Sequence, residues 1–182
     1  MKKILLFGAG KSATVLIDYL LANAEKENWI VTVADADIKS AVSKTGSGKS
    51  GKAVSFDIND AGERNKYIID SDIVISLLPP ALHAVVAKSC VENNKNLLTA
   101  SYVDEEIKNL QTEIDNRQLL FLCEMGLDPG IDHMSAMKII DHIHAEGGKV
   151  ISFKSHCGGL VAPESDDNPW HYKISWNLRN IL

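Results

Sequence analysis

One hexapeptide restricts the fold of this chain more than any other segment, and it reads Gly8, Ala9, Gly10, Lys11, Ser12 and Ala13. It matches G-x-G-x-x-A, follows a short apolar run and precedes a segment with the apolar spacing of a helix. The first glycine of such a unit allows a tight turn, the second lets a pyrophosphate approach the backbone, and the alanine lets helix and strand pack closely. Free N–H groups at the helix N-terminus attract the anion. The hexapeptide therefore predicts a dinucleotide-binding loop.

The rest of the chain repeats the alternation of apolar runs with helical segments. Strands are predicted at residues 3–7, 30–34, 53–56, 73–77, 96–99 and 119–123. Helices are predicted at residues 12–23, 82–93 and 104–116, the first with Val15, Leu16, Tyr19 and Leu20 on its buried face. This alternation predicts an α/β fold with a doubly wound parallel sheet of the Rossmann type.

The alternation of apolar runs and helical segments ends after Cys123. A turn-rich stretch, EMGLDPGIDH, is followed by a predicted helix at residues 132–145 and a predicted strand at residues 150–155. We therefore expect a dinucleotide-binding domain over residues 1–124 and the beginning of a second α/β domain over residues 125–182. Too few elements remain to close a second sheet, so we expect a truncated chain that is the amino-terminal part of a longer protein.

Residues 44–52, KTGSGKSGK, look at first like a phosphate-binding loop. The nucleoside-triphosphate pattern GxxxxGK[ST] would require glycine at position 43, which is Ser43, and a buried strand leading into the loop. The stretch is predicted to be a flexible surface loop instead.

Composition and charge exclude several classes of protein. The formal charge is −5, with basic and acidic residues mixed, so no basic stripe predicts a nucleic-acid partner. No apolar run reaches the ~18 residues of a membrane helix and no signal peptide is recognisable, so we expect a cytoplasmic protein with no membrane partner. The three cysteines form no CxxC pair, which predicts neither a disulfide framework nor a metal site.

Further cofactor contacts are predicted where the strands end. Asp35 follows the second strand, 25 residues after Gly10, where an acid commonly accepts hydrogen bonds from ribose hydroxyls. A carboxylate there would repel a 2′-phosphate, so we expect NAD rather than NADP, although Asp35 could also be an ordinary strand-end residue. Asp57 is a weaker candidate after the third strand. The segment that leaves the fourth strand adds Ser76, Leu77, Leu78 and Pro79.

Four blocks give the chain a more specific resemblance, namely SLLPP at 76–80, SYV at 101–103, GLDPGIDHM at 126–134, and HCGGLVAPESDDNP with YKISW between 156 and 176. In these blocks the sequence resembles the L-glutamate-forming saccharopine dehydrogenase (saccharopine reductase) family. The resemblance implies a Rossmann domain followed by a substrate and dimerisation domain, and a homodimer at full length. It also implies an enzyme of lysine metabolism that oxidises the secondary amine of saccharopine, giving glutamate and 2-aminoadipate 6-semialdehyde, or runs in reverse.

The resemblance also suggests roles for single residues. It implies that Asp128, Tyr102 and Cys157 serve catalysis, with Asp128 and Tyr102 touching the substrate. The alternatives are a half-buried aromatic ring for Tyr102 and an inert buried thiol for Cys157. The remaining residues are Ser101 and Arg179 for the substrate, and Leu127, Pro129 and Ser175 for the cofactor.

Two rival functions stay open from the sequence. One is a related imine reductase of the carboxynorspermidine or homospermidine synthase type, against which the blocks CGGLVAPE and NP…YK count. The other is an NAD-binding fragment without catalysis. Catalysis needs both reactants to be positioned, so these 182 residues alone are expected to bind cofactor without turnover.

Overall fold

The structure is a computed structural model that describes residues 1–158 and 161–173. Six parallel strands form one sheet in the order β3-β2-β1-β4-β5-β6. The order reverses between β1 and β4, and ligands of this fold bind at the carboxyl ends of the strands beside such a reversal. The strands are β1 Lys2–Phe7, β2 Trp29–Asp35, β3 Gly51–Ser55, β4 Ile73–Ser76, β5 Asn96–Thr99 and β6 Phe121–Leu122.

Helices connect the strands and cover both faces of the sheet. They are α1 Thr14–Ala24, α2 Ile38–Thr45, α3 Ala61–Ile69, α4 His83–Glu92, α5 Glu105–Asn109, α6 Gln111–Asn116 and α7 Ile131–Ala145. Short 3₁₀ turns span Lys11–Ala13, Pro80–Leu82 and Pro163–Ser165. The predicted doubly wound α/β fold is confirmed.

The central strand β1 shows why the sheet is buried on both sides. Its alternate residues Ile4 and Leu6 pack into a core cluster that includes Ile17 of α1. The residues between them, Leu5 and Phe7, pack into a second cluster on the other face. An uninterrupted apolar run is the expected sequence of a strand covered by helices on both faces.

The buried face of α1 differs in part from the predicted one: Leu20 is buried and Leu16 packs against the core as predicted, whereas Val15 and Tyr19 do not. Ala13, Ile17, Leu20 and Ala24 face the sheet, whereas Val15 is 79% exposed and Tyr19 is also exposed. The dinucleotide motif requires the position of Ala13 to lie against the strand, and this requirement fixes the rotation of the helix. Val15 follows two positions later, about 200° around the helix axis, and therefore faces away.

Other predicted elements also differ from the structure. The segment predicted as one helix at 104–116 forms two helices, α5 and α6, that meet at Leu110. The loop predicted at 44–52 is shorter, because its first residues belong to α2 and its last residues to β3. The predicted strand at 150–155 is wrong, because none of those residues is in a strand. Ile151 in that stretch is 93% exposed, and a strand needs a neighbouring strand to hydrogen-bond with.

The chain divides into two units, Met1–Ala136 and a second one that begins at Met137. The first unit holds the whole sheet, helices α1 to α6 and the start of α7. The described part of the second unit holds the rest of α7 and the 3₁₀ turn Pro163–Ser165. Within the described residues, no helix has the length and apolar character needed to cross a membrane.

Candidate dinucleotide and substrate site

The predicted dinucleotide loop has the geometry that its glycines require. Gly8 has a φ of +99°, and a Cβ there would lie 2.8 Å from the carbonyl oxygen of Leu77. Any other residue would be strained and would clash with the backbone at the end of β4. Gly10 is exposed, and a Cβ there would meet no atom within 4 Å. Ala13 is fully buried against the sheet, so the loop combines open backbone with a tightly packed helix start.

Asp35 ties the end of β2 to this loop. Its Oδ2 accepts a hydrogen bond from the backbone N–H of Ala9 at 2.6 Å, and its Oδ1 accepts one from the N–H of Asp37 at 2.9 Å. Hydrogen bonds to a charged acceptor are short and strong. Asp35 therefore shapes the loop as well as lining the site, a role that the sequence did not predict.

A cleft of about 320 Å³ opens beside the loop at the carboxyl ends of the strands. That volume falls in the range of small-molecule sites. Four residues predicted as cofactor contacts, Asp35, Asp57, Leu78 and Pro79, line it, together with Phe7, Ala34, Ala36, Phe56, Ile58, Asn59 and Leu82, which were not predicted. Phe7 and Ala34 lie in the last two positions of β1 and β2, and Ala36 and Phe56 directly follow β2 and β3, so apolar residues at the carboxyl ends of strands were the available signal for these four. The walls are mainly apolar with carboxylates among them, which suits a flat base attached to a sugar.

The aromatic wall of the cleft is held by ring contacts. Phe56 stacks on Tyr67 with ring centroids 5.2 Å apart and an interplanar angle of 3°. It also meets Phe7 edge to face, at 6.2 Å and 86°. Asp57 beside it accepts hydrogen bonds from the backbone N–H and the side-chain amide of Asn59. Two contacts thus hold the Phe56 ring in place as a wall of the cleft.

The loops after β4, β5 and β6 lie at the same carboxyl edge of the sheet, on the other side from β2 and β3. The Leu77 N–H donates to the Phe7 carbonyl at 2.8 Å, which joins the segment after β4 to β1. Ser101 is half-buried, and its carbonyl accepts from the Glu124 N–H at 3.0 Å. Tyr102 is 44% exposed. Backbone hydrogen bonds therefore join the segment that carries Tyr102 to the segment after β6.

The predicted substrate turn, Gly126–Gly130, closes on itself. The Gly126 N–H donates to the Pro129 carbonyl at 2.9 Å, and a Cβ at Gly130 would collide with the backbone of Gly126. Pro129 is buried, while Leu127 and Asp128 are exposed on the turn. The turn thus presents Asp128 to the solvent.

Two further titratable groups lie beside Asp128. One ligand atom each from Asp128, Asp132 and His133 lies within 4.8 Å of the others. Asp132 accepts from the Gly130 N–H at 3.0 Å and meets Nδ1 of His133 at 2.7 Å. The hydrogen bond to Asp132, and then its charge, raises the pKa of His133. Asp128 therefore lies next to a proton donor that is paired with another acid.

The remaining predicted residues lie in the second unit. Cys157 is exposed, which contradicts the alternative of a buried inert thiol. Cys90 is buried, and burial raises the pKa of its thiol to about 12. Ser175 and Arg179 lie outside the described residues.

Comparison with known families decides what kind of protein this is. Residues 4–122 match the saccharopine dehydrogenase NADP binding domain, and residues 126–182 match the saccharopine dehydrogenase C-terminal domain. The chain belongs to the saccharopine dehydrogenase family. The resemblance predicted from the sequence blocks is confirmed.

Two known proteins are similar to the chain. It is 40% identical, over its whole length, to saccharopine dehydrogenase [NADP(+), L-glutamate-forming] of Saccharomyces cerevisiae, and it covers 40% of that protein. It is 41% identical to alpha-aminoadipic semialdehyde synthase of Arabidopsis thaliana, over 96% of this chain and 18% of that one. The chain spans at most about two fifths of these relatives.

A solved structure agrees with these relatives. The apo structure of the L-Glu-forming saccharopine dehydrogenase from Saccharomyces cerevisiae matches all of this chain with a TM-score of 0.85 and 41% identity. The chain covers 40% of that structure. The rival assignments, an imine reductase of the carboxynorspermidine or homospermidine synthase type and a fragment without catalysis, are not favoured by these matches.

The comparisons support a nicotinamide cofactor but not the predicted preference for NAD. The matched domain is described as NADP binding, and the name of the yeast relative carries NADP(+). The prediction treated the Asp35 carboxylate as free to exclude a 2′-phosphate, whereas both of its oxygens accept backbone N–H groups. The loop also has a cation beside it, because the Lys44 ammonium donates to the Gly10 carbonyl.

Proposed function

We propose that this chain is the dinucleotide-binding part of an enzyme that converts saccharopine, NADP⁺ and water into L-glutamate, 2-aminoadipate 6-semialdehyde, NADPH and a proton, or catalyses the reverse. The observation that carries the proposal is the Gly8–Ala13 loop, which is hydrogen-bonded to Asp35 beside an apolar cleft. The chain that contains this loop is 40% identical to a relative named saccharopine dehydrogenase [NADP(+), L-glutamate-forming]. On this proposal residues 1–124 bind the cofactor, and residues 125–182 begin a substrate domain that dimerises at full length.

The described residues fit a nicotinamide dinucleotide. The cleft has room for the adenine and its ribose, and Gly10 leaves the backbone open for the pyrophosphate. Lys44 is a cation in contact with the loop, and it supports the choice of NADP over NAD. The bound cofactor would supply the hydride acceptor at the carboxyl edge of the sheet. The segment 76–79 and the turn residues Leu127 and Pro129 would flank it.

The substrate must lose a proton as well as a hydride. Oxidation moves a hydride from carbon to the nicotinamide and the amine proton to a base, and water then adds to the imine before the carbon–nitrogen bond breaks. Asp128 is our candidate for the base, because it is exposed on a turn that closes through its own backbone. Tyr102 and Ser101 would contact the substrate from the loop after β5. Cys157 stays a candidate for catalysis, Ser175 for the cofactor and Arg179 for the substrate, on the resemblance of their sequence blocks.

Steady-state kinetics on the full-length protein test the proposal. Saccharopine with NADP⁺ should produce NADPH and equal amounts of L-glutamate and the semialdehyde, and lysine or glutamate in place of saccharopine should produce none. NAD⁺ is run in parallel, and a higher kcat/KM with NAD⁺ would overturn the cofactor choice alone. Absence of turnover with both cofactors, in a protein that binds them, would overturn the function.

A further inference from the structure

Three buried polar side chains meet where β4, β5 and α4 come together. They are Ser76 at the end of β4, Thr99 at the end of β5 and His83 at the start of α4. His83 is 4% exposed, and the two hydroxyl residues are buried at least as deeply. Nδ1 of His83 lies 2.8 Å from Oγ of Ser76 and 3.3 Å from Oγ1 of Thr99. We call these residues the edge triad.

The surrounding contacts are compatible with Nδ1 of His83 as the acceptor in the edge triad. Oγ1 of Thr99 already accepts the N–H of Ser101 at 3.2 Å, so its own proton is available for Nδ1. We assign Nδ1 as the acceptor of these hydroxyl protons, which places the proton of a neutral ring on Nε2. Burial lowers the pKa of His83, and the charge of Asp104 opposes this effect only in part. A neutral ring is consistent with the geometry.

The edge triad joins the two halves of the site. Ser76 directly precedes the segment whose Leu78 and Pro79 line the cofactor cleft. Thr99 precedes Ser101 and Tyr102, and its carbonyl accepts from the N–H of Met125, just before the Gly126–Gly130 turn. One ring nitrogen thus connects the cofactor side of the edge to the segments that carry the two proposed substrate residues.

We propose that His83 is a positioning residue that holds the segment after β4 in register with the segments of Tyr102 and Asp128, so that cofactor and substrate meet at reacting distance. This inference rests on the proposed function. His83 is too deeply buried to be a catalytic residue, and it acts through the two hydroxyls that its Nδ1 accepts. A displacement of about 1 Å between reactants can slow a reaction about 100-fold.

Two variants of the full-length enzyme, one with and one without an acceptor at the position of Nδ1, separate positioning from general packing. In His83→Asn, the side-chain Oδ1 is as far from Cβ in bonds as Nδ1 of histidine, and it keeps an acceptor for the hydroxyls. His83→Leu has a similar shape and no acceptor. We expect His83→Leu to lower kcat by about 10- to 100-fold with a less than threefold change in NADPH affinity. His83→Asn should recover most of kcat.

The controls address loss of stability. Ser89→Ala removes a buried hydroxyl of α4 that accepts a hydrogen bond from Arg64 and is not part of the edge triad. This variant should have a lower Tm and an unchanged kcat. Should His83→Leu fail to fold, Thr99→Val and Ser76→Ala each remove one donor, and each should lower kcat by a smaller factor.

The outcomes separate this inference from the proposed function. Equal kcat in His83→Leu and His83→Asn, whether normal or reduced, overturns the role of Nδ1. Normal kcat in both Thr99→Val and Ser76→Ala would do the same. A wild-type enzyme that does not turn over saccharopine overturns the function, and the inference with it.

Discussion

The contact between Asp35 and the glycine-rich loop predicts an effect of Asp35→Asn that appears without any cofactor. Both carboxylate oxygens accept a backbone N–H, at 2.6 Å from Ala9 and 2.9 Å from Asp37. Asparagine offers one oxygen and one NH₂ group, so one of these N–H groups would face another donor. Ala9 is buried, and a buried N–H without a partner costs about 1–3 kcal/mol. We expect the free energy of unfolding to fall by that amount.

Urea unfolding of the cofactor-free, full-length protein measures the effect. Asp57→Asn is the matched control, because Asp57 lines the same cleft but uses one oxygen, Oδ1, for the backbone and side chain of Asn59. The Asp57→Asn substitution should change the free energy of unfolding by less than about 1 kcal/mol, as for an ordinary surface position. An Asp35→Asn protein as stable as the wild type, with only weaker NADPH binding, would refute the reasoning and make Asp35 purely a ribose ligand.

Three other changes test separate parts of the site. Gly8→Ala should cost about 1–3 kcal/mol for its backbone conformation alone, seen as a lower Tm, and should abolish NADPH binding by titration. An unchanged Tm would contradict the geometry of the loop. Lys44→Met should weaken NADPH binding by about two- to fivefold, the range for an exposed ion pair, and leave NADH binding unchanged. Equal losses for both cofactors would remove Lys44 from 2′-phosphate recognition. Asp128→Asn should lower kcat for saccharopine by about 10²- to 10⁴-fold at constant NADPH affinity, and near-normal turnover would exclude Asp128 as the base.

The fold was predictable because its strands are short apolar runs and its first turn has a diagnostic pattern. The β1 run needs no tertiary information, since both of its faces are apolar. The face of α1 was not predictable from periodicity alone, because its apolar residues outnumber those that one face can bury. The position of Ala13 in the motif would have fixed it. The strand predicted at 150–155 failed because strand propensity does not provide a pairing partner.

The site was predicted less completely than the fold. The glycine-rich loop and the segment after β4 are local in sequence, and the structure gives them the predicted places. The edge triad was missed because its members are 7 and 16 residues from His83, and only the order of the strands brings them together. Serine and threonine at the ends of two successive apolar strands, with a histidine on the helix between them, were the available signal.

The role of an aspartate at a strand end cannot be read from the sequence alone. In the structure, backbone contacts distinguish aspartates that cap helices from aspartates that hold loops. The aspartates at or after the carboxyl ends of the described strands are Asp35, Asp37, Asp57, Asp60, Asp104 and Asp128. Asp37, Asp60 and Asp104 accept backbone N–H groups at the first turns of α2, α3 and α5, as helix caps do. Asp35 and Asp57 accept backbone N–H groups of their own loops or of the glycine-rich loop.

Asp128 differs from these five acids. Within residues 1–158 and 161–173, no hydrogen bond to its carboxylate is found, although its charge acts on His133. A carboxylate that a fold uses for capping has its oxygens occupied by backbone N–H groups. An acid that must take a proton from a substrate amine is better placed on a turn that needs nothing from its side chain. The Gly126–Gly130 turn closes through backbone contacts alone, which leaves Asp128 available for chemistry.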